Sequence, residues 1–94
     1  MGNRFLVHDS GDAVGVAVEA IEPGQRAYGV VQDGGQRMEV EVVEAIPLGH
    51  KLALRDVEAG ARVVEYGVPI GVATQAIRAG QHVHTHNLKS ARWA

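Results

Sequence analysis

Histidines are the residues whose type and spacing point most directly to chemistry in this sequence. Three of the five, His82, His84 and His86, alternate with other residues in one short segment. If that segment is extended, the three imidazoles leave one face, about 6.6–6.8 Å from one to the next. Two imidazoles at that spacing can converge on one metal ion. The alternative is a strand that turns its histidines to solvent or to a partner and holds no metal.

The remaining two histidines each have a charged neighbour. His50 precedes Lys51 after a proline-containing turn, and His8 precedes Asp9. A histidine and a lysine together can hold a carboxylate, whereas the alternative is a solvated lysine beside a surface histidine. The chain has no cysteine. A metal site would therefore use nitrogen and oxygen ligands, which suits iron, manganese or zinc.

The elements that must position these side chains are short strands. Twelve glycines are spread along the chain. Because each glycine inside a helix costs about 1 kcal/mol relative to alanine, this spacing argues against long helices. The segment 37–42 alternates polar and apolar residues, as a half-buried strand does. Asp33-Gly34-Gly35 precedes it and favours a β-hairpin, because these residues tolerate positive φ. The segment 67–71, rich in glycine, predicts a bend.

A turn motif recurs four times. Each copy has an isoleucine or valine, two spacer residues and then a glycine, at residues 21–24, 46–49, 57–60 and 77–80. The β-branched residue is expected to plug the core, and the glycine to supply an unusual backbone angle. Four such corners predict a mostly-β structure with several hairpin bends, in which helix is confined to short turns.

Length, charge and hydropathy exclude several classes of protein. A chain of 94 residues fits one domain, residues 1–94. The net charge of −2 is not that of a nucleic-acid-binding protein. The longest apolar runs are far shorter than the ~20 residues of a membrane helix. No signal peptide is visible at the N-terminus, so a cytoplasmic protein is expected.

Three motifs together resemble a known family. They are IPLGHKLALR at 46–55, YGVPIGVAT at 66–74 and AGQHVHTHNL at 79–88. In this order they resemble the small SAF-type domain of the altronate/galactarate dehydratase family, which includes the small subunit of sulfolactate sulfo-lyase. The resemblance covers nearly the whole chain, from about residue 8 to residue 89.

The resemblance implies a fold and an activity. The fold is a β-clip, a small irregular β domain. In the family this domain is either the N-terminal part of a long dehydratase or a separate small chain, and a larger partner chain carries most of the active site. The chain is thus expected to be a lyase subunit, inactive without that partner, or an excised domain. The family removes water or sulfite from a hydroxy acid such as altronate, galactarate or sulfolactate, with a divalent metal, iron(II) or manganese.

Site residues follow from the same resemblance. His84 and His86 match the family's histidine motif and are expected at the metal or the substrate, as catalytic residues. His50 and Lys51 would bind the substrate carboxylate or its hydroxyls, and His8 is a further candidate for substrate binding. Asn87 would orient one of the histidines. His82 lies outside the motif and has less weight.

Two other functions stay open. One is a free-standing module that binds a small carbohydrate or hydroxy acid without catalysis, and the other is a structural domain for oligomerisation. A homo-oligomer is possible in each case. Trp93 is a candidate partner contact, since tryptophan is enriched at interface hot spots. The alternative is a loosely ordered terminus.

Overall fold

Short strands and turns make up the computed structural model, which describes residues 4–90. No helix occurs among these residues. The strands are β1 Phe5–Val7, β2 Val14–Ala17, β3 Arg26–Val31, β4 Arg37–Glu41, β5 Lys51–Ala53, β6 Arg62–Glu65, β7 Val68–Ala73, β8 His82–Val83 and β9 Leu88–Ser90. The predicted small, mostly-β structure with many bends is therefore confirmed. Trp93 lies outside the described residues.

The strands form two sheets. One has six strands in the order β4-β3-β1-β2-β5-β8, and the other has three in the order β6-β7-β9. All neighbours are antiparallel except β1 and β3, which are parallel. Two groups of buried side chains fill the interior. One surrounds Phe5, Ile21, Ile46 and Leu52, and the other contains Val57, Val63, Ile77 and Val83.

The four glycine corners adopt one conformation. The glycines at 24, 49, 60 and 80 have φ between 82° and 88°, the value that a type II turn requires at its third residue. The plugging residues pair across the fold, Ile21 with Ile46 and Val57 with Ile77, as isolated bridges. All four are buried. The prediction that the β-branched residue enters the core while glycine bends the backbone is confirmed.

Each corner also docks on a buried residue elsewhere in the chain. The glycine N–H donates to that residue's carbonyl, and that residue's N–H donates back to the carbonyl of the residue after the glycine. The acceptors are Val42 for Gly24, Ala17 for Gly49, Ala73 for Gly60 and Ala53 for Gly80, at 2.7–2.8 Å. Every corner is thus fixed by two hydrogen bonds to one residue elsewhere in the chain, which lies in a strand or, for Val42, directly after one.

The expected hairpin at residues 33–35 is confirmed. Strands β3 and β4 pair antiparallel on either side of it, and Gly34 and Gly35 have φ of 96° and 72°. Within β4, buried Val40 lies between exposed Glu39 and Glu41, so the period-2 alternation marks a half-buried strand.

The bend predicted over residues 67–71 is wrong in extent. Only Tyr66 and Gly67, with φ of 59° and 70°, form a turn, and the rest is strand β7. Positive φ at both positions is the geometry of a two-residue hairpin turn. Pro69 is tolerated in the strand because it lies beside the register shift at Val63/Val64 and outside the stretch that pairs with β9.

Buried Asp12 holds this hairpin turn against the β1–β2 connection. Its carboxylate accepts the backbone N–H groups of Asp9 and Tyr66 on one oxygen, at 3.2 and 3.0 Å, and that of Gly67 on the other at 3.2 Å. Asp12 is fully buried. The three N–H donors replace the hydrogen bonds to water that its carboxylate loses on burial.

Gly80→Ala is expected to destabilise the fold much more than Gly24→Ala. Both glycines have φ near 88°, so each substitution carries the cost of a left-handed alanine, about 1–2 kcal/mol. A Cβ at Gly80 would also overlap the carbonyl oxygen of Glu41, whereas a Cβ at Gly24 meets nothing within 4 Å. Overpacking adds about 1–3 kcal/mol. Urea denaturation measures both variants, and equal losses would contradict this account.

Candidate functional site

Two glycine corners bring His50 and His82 together. His50 directly follows Gly49 and leads into β5, while His82 lies two residues after Gly80 and begins β8. Strands β5 and β8 are antiparallel neighbours, with Leu52 opposite His82. The imidazoles meet edge to edge, Nδ1 of His50 lying 2.8 Å from Nε2 of His82. Residues 32 positions apart thus form one hydrogen-bonded pair.

The segment that carries the alternating histidines is not an extended strand, which corrects the sequence prediction. Strand β8 ends at Val83, and a turn follows in which the N–H groups of Asn87 and Leu88 both donate to the His84 carbonyl, at 3.1 and 2.9 Å. The three imidazoles therefore do not share a strand face. They are gathered by the turn instead.

Asn87 is the reason that the strand stops. Its Oδ1 accepts the N–H of His84 at 2.9 Å, and its Nδ2 donates to the carbonyl of His82 at 2.8 Å. The buried amide takes the hydrogen bonds that a neighbouring strand would otherwise make. It was expected to orient a histidine, and it contacts the backbone of two of them.

The histidine cluster consists of His50, His82 and His84. One nitrogen from each lies within 4.8 Å of the others, and the His84 ring stacks on that of His50 at 4.6 Å between centroids. The His86 ring lies 5.4 Å from that of His82, measured between centroids, but His86 does not belong to the cluster. Of the two histidines assigned to the metal from the sequence, only His84 belongs to this group.

His82 was given less weight at the sequence level and its meeting with His50 was missed, although a signal for both was present. Each follows the glycine of one copy of the repeated turn, by one residue at Gly49 and by two at Gly80. Pairing of these two copies would have placed both histidines on neighbouring strands.

The environment of His82 favours its neutral form. Burial is the largest cause that lowers its pKa below the ordinary 6.5, and the nearby imidazoles of His50, His86 and His84 add to the effect. The Glu44 carboxylate opposes it, and accepts the His82 backbone N–H at 2.8 Å. Neutral imidazole is the form that binds metal ions.

The cluster fits the donor set of a transition-metal site. Bonds of about 2.0–2.1 Å place two ligand nitrogens about 2.9 Å apart at right angles and about 3.3 Å apart in a tetrahedral site, so the 2.8 Å hydrogen bond between His50 and His82 would widen slightly around an ion. His84 is exposed, so a rotation of its side chain can complete the set. Imidazole ligands suit zinc, copper, iron and nickel, and three protein ligands leave coordination positions open.

A cavity of about 270 Å³ adjoins this cluster, and His84 belongs to both. It is lined by Lys51, Glu65, Ile70, Val83, His84, Thr85, Leu88 and Ser90. The cavity lies just below the usual 300–1,000 Å³ of ligand pockets, a size suited to a small metabolite. One cation, one carboxylate and two hydroxyls line it above an apolar floor, and Lys51 supplies the cation, as substrate binding would require.

His8 lies apart from the cluster and reaches the cavity only through Glu65. Its ring stacks on Tyr66 at 3.5 Å, its Nδ1 lies 3.0 Å from Oε1 of Gln32, and its Nε2 lies 3.7 Å from Oε2 of Glu65. Glu65 is buried. Sequence reasoning missed this glutamate, although it shares the buried face of β6 with Val63.

Comparison with known proteins decides the family. The sequence model of the altronate/galactarate dehydratase SAF domain matches residues 3–91. The chain belongs to this family. Within the described residues, no helix is long and apolar enough to span a bilayer.

Three relatives show how the domain is used elsewhere. The chain is 51% identical to (2R)-sulfolactate sulfo-lyase subunit alpha of Chromohalobacter salexigens, over 99% of this chain and 100% of that protein. It is 41% identical to altronate dehydratase of Bacillus subtilis, over 92% of this chain but 16% of the enzyme. It is 36% identical to galactarate dehydratase of Escherichia coli, over 82% of this chain and 13% of the enzyme. The domain thus occurs as a whole subunit and as a small part of larger dehydratases.

The metal-free chain is expected to lose stability as the pH falls below about 6.5. Because the pKa of His82 is lowered in the folded state, the unfolded chain binds more protons at pH values between the folded and unfolded pKa. The free energy of unfolding therefore rises with pH in that window. Above the window the contribution of His82 to it no longer changes with pH. Urea denaturation with a chelator, from about pH 5 to pH 8, measures the slope.

His82→Gln is the control for this slope, because it removes the titrating imidazole and leaves Glu44 and the other four histidines in place. The difference between the two chains isolates His82 from carboxylates that titrate at lower pH. Identical pH dependence of both chains would contradict the assignment.

Proposed function

We propose that this chain is the small subunit of a lyase that eliminates water or sulfite from a small hydroxy acid, together with a larger dehydratase-like chain. The observation that carries the proposal is the contact between two features, since His84 belongs both to the histidine cluster and to the cavity. A cation-binding group beside a metabolite-sized pocket is what an elimination next to a carboxylate needs. The family supports the same class of reaction.

(2R)-sulfolactate is the first candidate substrate. The relative of which this chain covers the full length is named as a sulfolactate sulfo-lyase subunit, whereas the matched dehydratases are several times longer. Altronate and galactarate are the next candidates, and they are larger molecules for the same cavity.

The charged residues that line the cavity suit opposite ends of such a substrate. The Lys51 ammonium would bind the carboxylate as a point charge. The Glu65 carboxylate, buried on the pocket wall, would remove the proton α to the carboxylate. The C–H electron pair then forms the carbon–carbon double bond, and the bond to the β substituent breaks with its electrons on the departing hydroxide or sulfite. The resulting enol takes up a proton at the β carbon and releases its hydroxyl proton to become the keto acid.

His8 would support the glutamate from behind. In the tautomer whose Nδ1 donates to the Gln32 carbonyl oxygen, 3.0 Å away, Nε2 is left to accept a proton from Glu65, whose Oε2 lies 3.7 Å away. A proton that Glu65 removes can be shared with this nitrogen. His8, assigned to substrate binding from the sequence, is thus proposed to position the base. His86 stays a candidate substrate contact at the edge of the cluster.

A divalent cation, iron(II) or manganese, would stabilise the negative, enolate-like charge that develops on the carboxylate. The chain's own contribution is to orient the acid on Lys51 and to present Glu65 to its α carbon.

A larger partner is part of the proposal. A chain of this size buries too little surface to enclose a deep site. Leu48 and Val43 are exposed by 65% and 52%, and both lie beside the corners that carry the histidines. Leu48 precedes Gly49, and the Val43 N–H donates to the Gly80 carbonyl at 3.1 Å. Apolar side chains at these places suit a partner that closes over the site.

The assembled pair is expected to release sulfite from (2R)-sulfolactate, and neither chain alone is expected to do so. The experiment co-produces this chain with a larger dehydratase-like chain from the same organism, and follows sulfite and keto acid. Altronate and galactarate are assayed in parallel for keto acid alone. Tight binding of a hydroxy acid by this chain without turnover in any pairing would instead indicate a binding module.

Substitutions in the cavity are expected to separate binding from chemistry. Glu65→Gln should lower kcat by about 10²–10⁴-fold, the usual contribution of a general base, with little change in KM. Lys51→Met should mainly raise KM, by about 10–100-fold, which is the worth of a hydrogen bond to a charged group. Steady-state kinetics of the assembled pair measure both.

Glu58→Gln is the matched control, because Glu58 is an exposed glutamate on the third glycine corner. It should leave both constants unchanged. An active Glu65→Gln variant with normal kcat would remove Glu65 from the mechanism and leave the rest of the proposal standing.

A further inference from the structure

We infer that His50, His82 and His84 form a three-nitrogen site for a first-row transition metal, held by this chain without its partner. The inference depends on neither substrate nor larger chain, so it can fail while the proposed lyase function stands, and the reverse. It also replaces His86, the second histidine that the sequence assigned to the metal, by His50 and His82.

The first support is the geometry of the three rings. They come from three places in the chain: the end of one glycine corner, the start of β8 and the turn after β8. Despite that, one nitrogen of each lies within 4.8 Å of the others. The centroids are 4.6–5.4 Å apart. Hydrophobic packing would bring apolar side chains together at this place. It does not explain why three imidazoles place their nitrogens close to one another.

The second support is the rigidity of the backbone that carries two of the rings. Asn87 is hydrogen-bonded to the backbone of both His82 and His84, and Glu44 accepts the His82 N–H. Preorganised ligands lose little conformational entropy when an ion binds, and residues that fix ligands in this way typically change metal affinity by about 10–100-fold when removed. The exposed His84 side chain is the one that must adjust.

The donor set selects among metals. Three imidazole nitrogens suit iron(II), cobalt, nickel, copper and zinc, whereas magnesium, calcium and manganese prefer oxygen ligands. The three residues include no carboxylate. Of the two metals that the family resemblance implies, this site therefore favours iron(II) over manganese.

The alternative is a hydrogen-bonded histidine cluster that holds no ion. In that case the 2.8 Å contact between His50 and His82 would be a conventional N–H···N bond, and His84 would only stack on it. The two cases differ in a measurable way, because the exposed His84 adds little to a stacked pair but is one third of a metal site.

The experiment measures binding of Zn²⁺ and Co²⁺ to the untagged 94-residue chain, freed of metal by a chelator. Titration calorimetry gives affinity and stoichiometry, and the visible absorption of bound Co²⁺ reports its ligands. One ion per chain is expected, with nitrogen ligation. His84→Ala should weaken Zn²⁺ binding by more than about 10–100-fold, the cost of losing only a supporting residue. Mn²⁺ and Mg²⁺ should bind far more weakly than Zn²⁺.

His86→Ala and His8→Ala are the matched controls, since each removes one histidine outside the cluster and should leave affinity unchanged. His50→Gln tests the second ligand, and circular dichroism confirms that each variant is folded. The inference is overturned if the chain binds no Zn²⁺, if His84→Ala binds as tightly as the unsubstituted chain, or if His86→Ala costs as much as His84→Ala. A variant of His50 that unfolds leaves the His84 comparison decisive, because His84 is exposed.

Discussion

The reciprocal docking of a positive-φ glycine on a buried strand residue is the interaction on which the rest of this structure depends. Gly49 and the residue after it exchange two hydrogen bonds with Ala17, and Gly80 and its successor do the same with Ala53. Only glycine adopts that backbone angle without strain. Since His50 follows Gly49 directly and His82 lies two residues after Gly80, these backbone hydrogen bonds help to set the positions of both imidazoles, together with the 2.8 Å contact between the two rings.

Buried polar side chains complete the fold where strands are too short to do so. Asp12 satisfies the N–H groups of the Tyr66–Gly67 turn, and Asn87 satisfies the backbone on both sides of Val83. A buried polar group without a partner costs about 1–3 kcal/mol, and no buried side-chain nitrogen or oxygen in the described residues lacks one. Asp12 thereby fixes the turn that directly follows Glu65, and Asn87 fixes the backbone of His82 and His84.

Local features of this fold were predictable from the sequence, and long-range ones were not. The glycine corners and the hairpin at residues 33–35 depend on φ preferences that a few neighbouring residues encode. The pairing of β5 with β8 depends on register between distant segments, so the meeting of His50 and His82 was not visible. The alternating histidines suggested a strand, but Asn87 competes for the backbone and makes a turn. Glu65 was missed because its burial depends on strand β6 packing against the rest of the fold.

The arrangement of charge at the cavity fits the proposed role of this small domain beside a larger chain. The histidine cluster meets the cavity at His84, and Lys51 adds a fixed cation to the cavity wall. Glu65 is the single carboxylate among the described residues that line the cavity, and it is backed by His8. A hydroxy acid bound there would have its carboxylate drawn toward the cations and its α carbon left near the base. On the proposed function, the domain would orient an anionic substrate by charge, and a partner that covers the open side would exclude water and strengthen that orientation.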